Sequence, residues 1–321
     1  AARSVFGVPG VLVGLRLWSA FRSTLIIRGG EGPLLRGAIC ARVVGLRLPT
    51  GPGGPAPTPA LRAARAAGGP GRPIPGALKA YFGVNEILST IMMNAIAIQL
   101  MNYLLRGPMI DPAQAELASK IPQTAALEQA FRLPRLVPTR LHLGAVFAIA
   151  LAILVYILLW RTTLGYRIRA VGQNPEAARY GGIRVRRQIV IALLLSGAFA
   201  GLAGVMQVYG LNYRLITDGS ATGFTGSAGF NGIVAALFGQ LHPLGTIPAS
   251  FFFGALIVGA NSLQRIMQVP SSFILALNGL VVIFVVSSDI WRRRRQRQRR
   301  LKATSTADKK PPLASEAEVT T

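Results

Sequence analysis

Glu86, Thr90, Asn94 and Asn102 stand four or eight residues apart in an otherwise apolar stretch. Each step of four advances a helix about 40° beyond one full revolution, so the four share one broad face. Polar groups inside a membrane helix are costly, and they turn to the bundle interior or to an aqueous path. Neutral amides and hydroxyls of this kind suit a polar, hydrogen-bonding solute, with Glu86 near the membrane boundary. The alternative for Asn94 and Asn102 is a hydrogen bond that joins one helix to another. Asn231 borders a broken apolar region, where freed backbone groups could bind the same kind of solute.

A second constellation lies in the basic block 161–187. Asn174 is a good N-cap, Pro175 suits the first helical position, and Glu176 complements the positive helix end. Arg179 falls in the last turn, and Gly181 or Gly182 can supply a left-handed C-cap. A complete set of helix signals thus occupies less than two turns. So short a helix is unstable alone in water, because nucleation costs more than it returns. It is either held by a tight loop, as an interfacial elbow, or docked on a partner. Further on, Gly197 and Gly201 make a GxxxG pair with Ser196, Ala200 and Gly204 on adjoining faces, a pattern that lets helix backbones approach in lipid.

Other chemistries find little support. The chain has two histidines, His142 and His242, and one cysteine, Cys40, too few for a Cys-based zinc site or a disulfide framework. No lysine follows a glycine, so the phosphate-binding signature GxxxxGK[ST] is absent. A membrane-embedded enzyme would need convergent acids, histidines or an activated nucleophile. Only Glu86 and Asp289 come near the membrane as acids. Nucleic-acid binding would want aromatics among the basic residues, and Trp291 alone stands near the C-terminal arginines.

The elements that must hold these residues follow from composition. Of 321 residues, 51% are hydrophobic and 14% charged, yet the net charge is +24, with a mean hydropathy of +0.45. A soluble domain carries about 25% charge. The positive residues gather in 1–79, 161–187 and 291–310, which together hold 28 of the 35. Between them run apolar stretches at about 85–105, 141–160, 188–210 and 273–291. A bilayer crossing needs about 20 residues. The segment 230–262 is apolar but broken at His242-Pro243-Leu244-Gly245, giving pieces of about 10 and about 17 residues by helical length. Such a break should face protein or a water-lined cavity.

Cytoplasmic loops collect Lys and Arg. That rule sets 161–187 and the C-terminal cluster on the cytoplasmic side, so 230–262 either crosses twice or re-enters; two crossings, the first short, fit better. The connector 106–140, external by this topology, has five basic and three acidic residues. The expected fold is therefore an all-α integral membrane protein, a polytopic helix bundle with a broken or re-entrant segment near 230–262 and a short cytoplasmic coupling helix. Residues 1–75 form an atypical N-terminal part: Val5–Phe21 is interrupted by Arg16, 34–48 by Arg36, Arg42 and Arg47, and 49–76 is rich in Pro, Gly and Ala. Residues 76–291 form the membrane domain. Residues 292–321 form a basic cytoplasmic tail that reads as disordered.

The ordered motifs resemble one family. The block Gly165 to Ile183 is similar to the cytoplasmic coupling loop of bacterial ABC-transporter permeases of the simple-sugar and nucleoside type. Ile74 to Asn94, Ser196 to Gly204, Gly229-Phe230-Asn231-Gly232-Ile233 and His242-Pro243-Leu244-Gly245 resemble further family segments in the same order, over about 73–291. Ala20-Phe21-Arg22 and Gly29-Gly30-Glu31-Gly32 extend the likeness upstream, with Pro33 where the family has Gln and Ile27 where it has Asn. The resemblance implies a non-enzymatic, multi-pass subunit of a nucleoside or sugar importer in the bacterial plasma membrane, with its C-terminus cytoplasmic. A separate cytoplasmic ABC ATPase would hold ATP and Mg, and this chain would bind no cofactor. Coupling to that ATPase would fall to Gly165, Arg169, Asn174, Pro175, Glu176, Ala177, Ala178, Arg179 and Gly182. A second permease subunit and an extracytoplasmic substrate-binding protein would complete the assembly in the lipid bilayer. An inactive remnant and, less well, a membrane enzyme stay open as alternatives.

Overall fold

The computed structural model describes residues 31–47, 73–116, 121–127, 144–220, 222–240, 242–268 and six positions between 276 and 287. The expected span 273–291 lies largely outside them; Val5–Phe21, His142, Asp289, Trp291 and the tail 292–321 lie wholly outside. The protein is all-helical, and among the described residues strand pairing is confined to one antiparallel bridge, Gln123 with Ile216. Among the described residues, four helices are long and apolar enough to cross a membrane.

The first compact unit is residues 1–269. Its helices are α1 (Glu31–Arg47), α2 (Pro73–Phe82), α3 (Glu86–Arg106), α4 (Pro112–Ala115), α5 (Gly144–Arg161), α6 (Thr163–Gln173), α7 (Pro175–Tyr180), α8 (Val185–Gln207), α9 (Thr222–Thr225), α10 (Ala228–Phe238) and α11 (Pro243–Met267). The spanning helices are α3, α5, α8 with its π-helical extension Val208–Asn212, and α11. At about 1.5 Å per residue, α8 and its extension measure about 40 Å. In the second unit, 270–321, the helical positions Leu280, Ile283 and Phe284 are exposed at three- and four-residue spacing. They therefore share one apolar face.

The core is built on the seam between α1 and α8, the most extensive helix pair among the described residues. Leu34, Leu35, Ala38 and Ala41 of α1 are completely buried. A β-carbon at Gly37 would stand 2.5 Å from the Cα of Gly201, and one at Gly204 would stand 2.9 Å from the backbone nitrogen of Ala38. Only glycine permits so close an approach, so this small-residue face of α8 is closed by α1. Residues 31–47, within the part set apart on sequence as atypical, thus make the central helix. Arg42, which seemed to interrupt it, is buried and donates through Nη2 to the carbonyl of Ala125 at 2.5 Å. The hydroxyl of Tyr209 donates to the carbonyl of Ala41 at 2.7 Å.

Two ends of the bundle can be told apart. At one, which carries the arginines of 161–187, α5 turns into α6. At the other, residues 121–127 lie along 213–217: the Thr124 amide donates to Leu215, the Leu127 amide to Tyr213 and the Thr217 amide to Pro122. Two interruptions mark this part of the chain, one inside the broken region 230–262 and one just before it. One is the 239–242 turn, close to the expected site, between an α10 of 11 residues and an α11 of 25. The other lies at Gly226 and Ser227, both with φ near +58° (57° and 59°), which divides α9 from α10.

Candidate functional site

The basic end is shaped by short-range hydrogen bonding. Thr162 closes the α5–α6 turn: its hydroxyl accepts from the Gly165 amide at 3.2 Å and donates to the carbonyl of Leu158. Gly165 is buried, and a β-carbon there would stand 2.6 Å from the Leu159 carbonyl oxygen. Ile168 and Val171 carry the buried face of α6. Asn174 then serves two helices. Its amide donates to Ala170 at 3.1 Å, and its side chain accepts from the amides of Glu176 and Ala177 at 3.0 and 3.1 Å. Pro175 follows at the first helical position of α7, and Gly182, with φ +76°, turns the chain out of it. Pro175, Glu176, Ala177 and Arg179 are exposed, whereas Ala178 is buried.

A cleft of about 1000 Å³ opens between α6, α7 and the start of α8. Asn174, Ala177, Ala178 and Gly182 line it; Gly165, Arg169, Pro175, Glu176 and Arg179 do not. Arg167, Arg184 and Arg187 also line it. Sequence reasoning counted these three only as orientation charges, although their crowding within one block was the available signal. A cleft walled by guanidinium groups draws an acidic partner surface. Arg169 turns the other way, with its Cζ 4.2 Å from the ring centre of Trp160.

The polar face of α3 does not converge on one point. Asn94 accepts from the Gly32 amide at 2.7 Å, satisfying one of the open donors of the first turn of α1. Asn102, two turns on, accepts from the hydroxyl of Thr217 at 2.6 Å. Thr90 is buried and donates within its own helix, to Ile87 at 3.0 Å. The side chain of Glu86 lies outside the described residues. Asn231 is half-buried in the first turn of α10. Near it Gly229 meets α1, where an added β-carbon would stand 2.7 Å from Oε1 of Glu31. The first turns of α1 and α10 therefore meet beside Glu31, and a carboxylate suits the positive end of α10. Buried Gln207 pins this region from α8, donating to the Phe224 carbonyl at 2.7 Å. Glu31 and Gln207 were not singled out on sequence; the glycine-flanked acid Gly30-Glu31-Gly32 was the readable signal for the first.

Of the packing set, Gly201 and Gly204 meet α1 as described, and Ser196, Gly197 and Ala200 are buried in the same helix. At the far end Asp218 accepts from the Ser220 amide and hydroxyl at 2.9 and 2.7 Å. Those two bonds hold its carboxyl below the usual carboxylate range. Among the described residues no three His, Cys, Asp or Glu side chains gather to hold a metal ion.

Similar proteins share this layout of sequence. A family described as "Branched-chain amino acid transport system / permease component" matches residues 29–286. The guanosine ABC transporter permease protein NupP of Bacillus subtilis is 38% identical over 280 residues, covering 87% of this chain and 78% of its own length. The glucose ABC transporter permease protein TsgB13 of Haloferax volcanii is 32% identical over 302 residues, covering 91% and 77%. The nucleoside ABC transporter permease protein NupB of Lactococcus lactis is 26% identical over 241 residues, covering 74% and 65%. No solved structure matches the chain significantly.

Proposed function

The chain belongs to the branched-chain amino acid transport system permease family, as a multi-pass permease subunit of an ABC importer, and on that premise we propose that it carries a nucleoside or a simple sugar inward across the bacterial plasma membrane. ATP and Mg are held by a separate cytoplasmic ATPase, which docks on α7 and the basic cleft beside it. An extracytoplasmic binding protein delivers the solute, and a second permease subunit completes the pathway. The C-terminus and the basic end then face the cytoplasm, in line with the Lys/Arg bias.

The observation that carries this reading is the continuity between cleft and core. On the cleft wall Arg187 belongs to the first turn of α8 and Arg184 directly precedes it, and the same helix is locked backbone-to-backbone against α1 through Gly201 and Gly204. A partner that closes on the cleft therefore moves α8, and with it α1. The first turn of α1 is held by Asn94 and adjoins the start of α10. Movement there changes the polar surface that Asn94, Asn231, Thr90 and the α10 amides offer to a hydroxyl-rich solute. Glu86 lies on the cytoplasmic approach to that surface, and Asn102 toward its external end.

Glu176 and Ala177 are exposed on α7 while Ala178 is buried, so the clean perturbation is Glu176→Arg with Ala177→Leu. This variant should insert normally and lose co-purification with the ATPase. ATPase retained at the wild-type level would refute the docking role. The solute class follows from uptake of labelled guanosine and glucose in turn by vesicles of the complete transporter; uptake of neither would overturn it.

A further inference from the structure

A row of rings joins the α6 arm of the basic end to the turn of the broken segment. Arg169 of α6 lies over Trp160 of α5, with 4.2 Å from Cζ to the ring centre. Nε of Arg169 is buried with no hydrogen-bond partner among the described residues, and the guanidinium lies over the Trp160 face. Trp160 meets Tyr156, one turn earlier on α5, with ring centres 6.4 Å apart and planes at 48°. Tyr156 in turn meets the ring of His242 at 5.7 Å and 52°. Tilted aromatic pairs at these separations are attractive, and so is a guanidinium over an indole.

The two ends of this row are stiff. His242 is the N-cap of α11, and its carbonyl accepts from both the amide and the hydroxyl of Thr246, at 2.9 and 2.8 Å. Its own amide donates to Gly239 at 3.1 Å. A β-carbon at Gly239 would stand 2.7 Å from the carbonyl carbon of Gly245, so the turn is closed on itself. At the other end α6 is fixed to α7 through Asn174. A displacement of α6 thus has a continuous packed route to the α10–α11 turn, separate from the route through α8 and α1.

We propose that Arg169, Trp160, Tyr156 and His242 act as positioning residues that transmit movement of the ATPase-docking arm α6–α7 to the α10–α11 turn, so that the broken segment opens and closes in step with ATP hydrolysis. This rests on the docking reading above. A pathway of this kind is established only by coupling, and residues on one route are non-additive.

The test uses the full chain assembled with its ATPase and partner subunits in proteoliposomes, and reads solute taken up per ATP hydrolysed, with guanosine and glucose offered in turn. Trp160→Leu is expected to lower that ratio roughly tenfold while ATPase association and hydrolysis stay at wild-type levels. Trp160→Phe, which keeps a ring, is expected to stay within about twofold. The double variant Trp160→Leu, His242→Ala should lose no more than the worse single. An unchanged ratio in Trp160→Leu, or a double loss equal to the product of the singles, would overturn the proposal. Tyr156→Leu, which removes the ring between Trp160 and His242, carries the same test if Trp160→Leu fails to accumulate in the membrane. Failure of the docking reading shows separately, as ATPase that still co-purifies with the Glu176→Arg, Ala177→Leu chain.

Discussion

Replacing Gly37 by alanine asks whether the seam between α1 and α8 is as tight as its geometry. The new methyl would stand 2.5 Å from the Cα of Gly201 and 2.7 Å from its carbonyl carbon, where ordinary contact begins at 3.4 Å. The carbonyl oxygen of Gly201 is closer still, and none of these neighbours is a side chain that can swing away, so α1 must retreat by about 1 Å from α8. A gap of about 0.5–1 Å forfeits a quarter to a half of the dispersion attraction of each pair it opens. The pairs affected include those of Leu34, Leu35 and Ala38, all completely buried. Overpacking of this type costs about 1–3 kcal/mol, and the close approach at Gly204 opens in the same movement, so the upper end applies. About 3 kcal/mol is roughly a hundredfold in the balance between packed and displaced α1. Cys40, the single cysteine, lies on the same helix and is half-buried, so it reports directly. In detergent, Gly37→Ala should label with a thiol-reactive dye at least about tenfold faster and melt several degrees lower. Gly259→Ala, at a position with nothing within 4 Å, should behave as wild type. Wild-type labelling and melting in Gly37→Ala would refute the reasoning.

Two further perturbations address the polar anchors. Arg42→Met keeps the length of the side chain but removes the bond to Ala125, and should cost about 1–3 kcal/mol; limited proteolysis near 121–127 should quicken, and unchanged cleavage would argue against the anchor. Asn94→Leu removes the acceptor for the Gly32 amide, a cap worth about 1 kcal/mol, so the variant should still assemble. Its uptake of labelled solute should fall much further than its membrane level, and equal losses of both would make Asn94 a structural bond alone.

What could be read in the sequence was local. The Asn174–Pro175–Glu176 signals involve partners two and three residues apart, and α7 forms with those bonds. The apolar runs of α3, α5 and α8 were visible because lipid demands them continuously, and α11 emerged longer than its sequence break suggested because the helix continues past the apolar stretch to Met267. What could not be read was long-range. Arg42 looked like an interruption because its acceptor lies 83 residues away. Asn94 could be assigned to a solute path or to a helix contact, and the amide it binds is 62 residues distant. The interruption at Gly226–Ser227 left no hydrophobic signature, since α9 is only four residues long. Long-range pairing also hid the row from Arg169 to His242, because its step from Tyr156 to His242 joins residues far apart in the chain.

The buried arginine of α1 bears on how the protein is made. α1 carries Arg36, Arg42 and Arg47 along its 17 residues, which makes it a poor helix to enter lipid by itself. An arginine raises the cost of partition from the translocon by up to about 2.5–3.5 kcal/mol, the value for the centre of a membrane helix. The groups that offset this cost, the Ala125 carbonyl and the glycine face of α8, are synthesised only later. During translation α1 must therefore wait at the translocon or the lipid headgroups until α8 emerges. The heart of the bundle is then among the last parts of the chain to settle in the bilayer, and a ribosome stalled before α8 would leave α1 outside it.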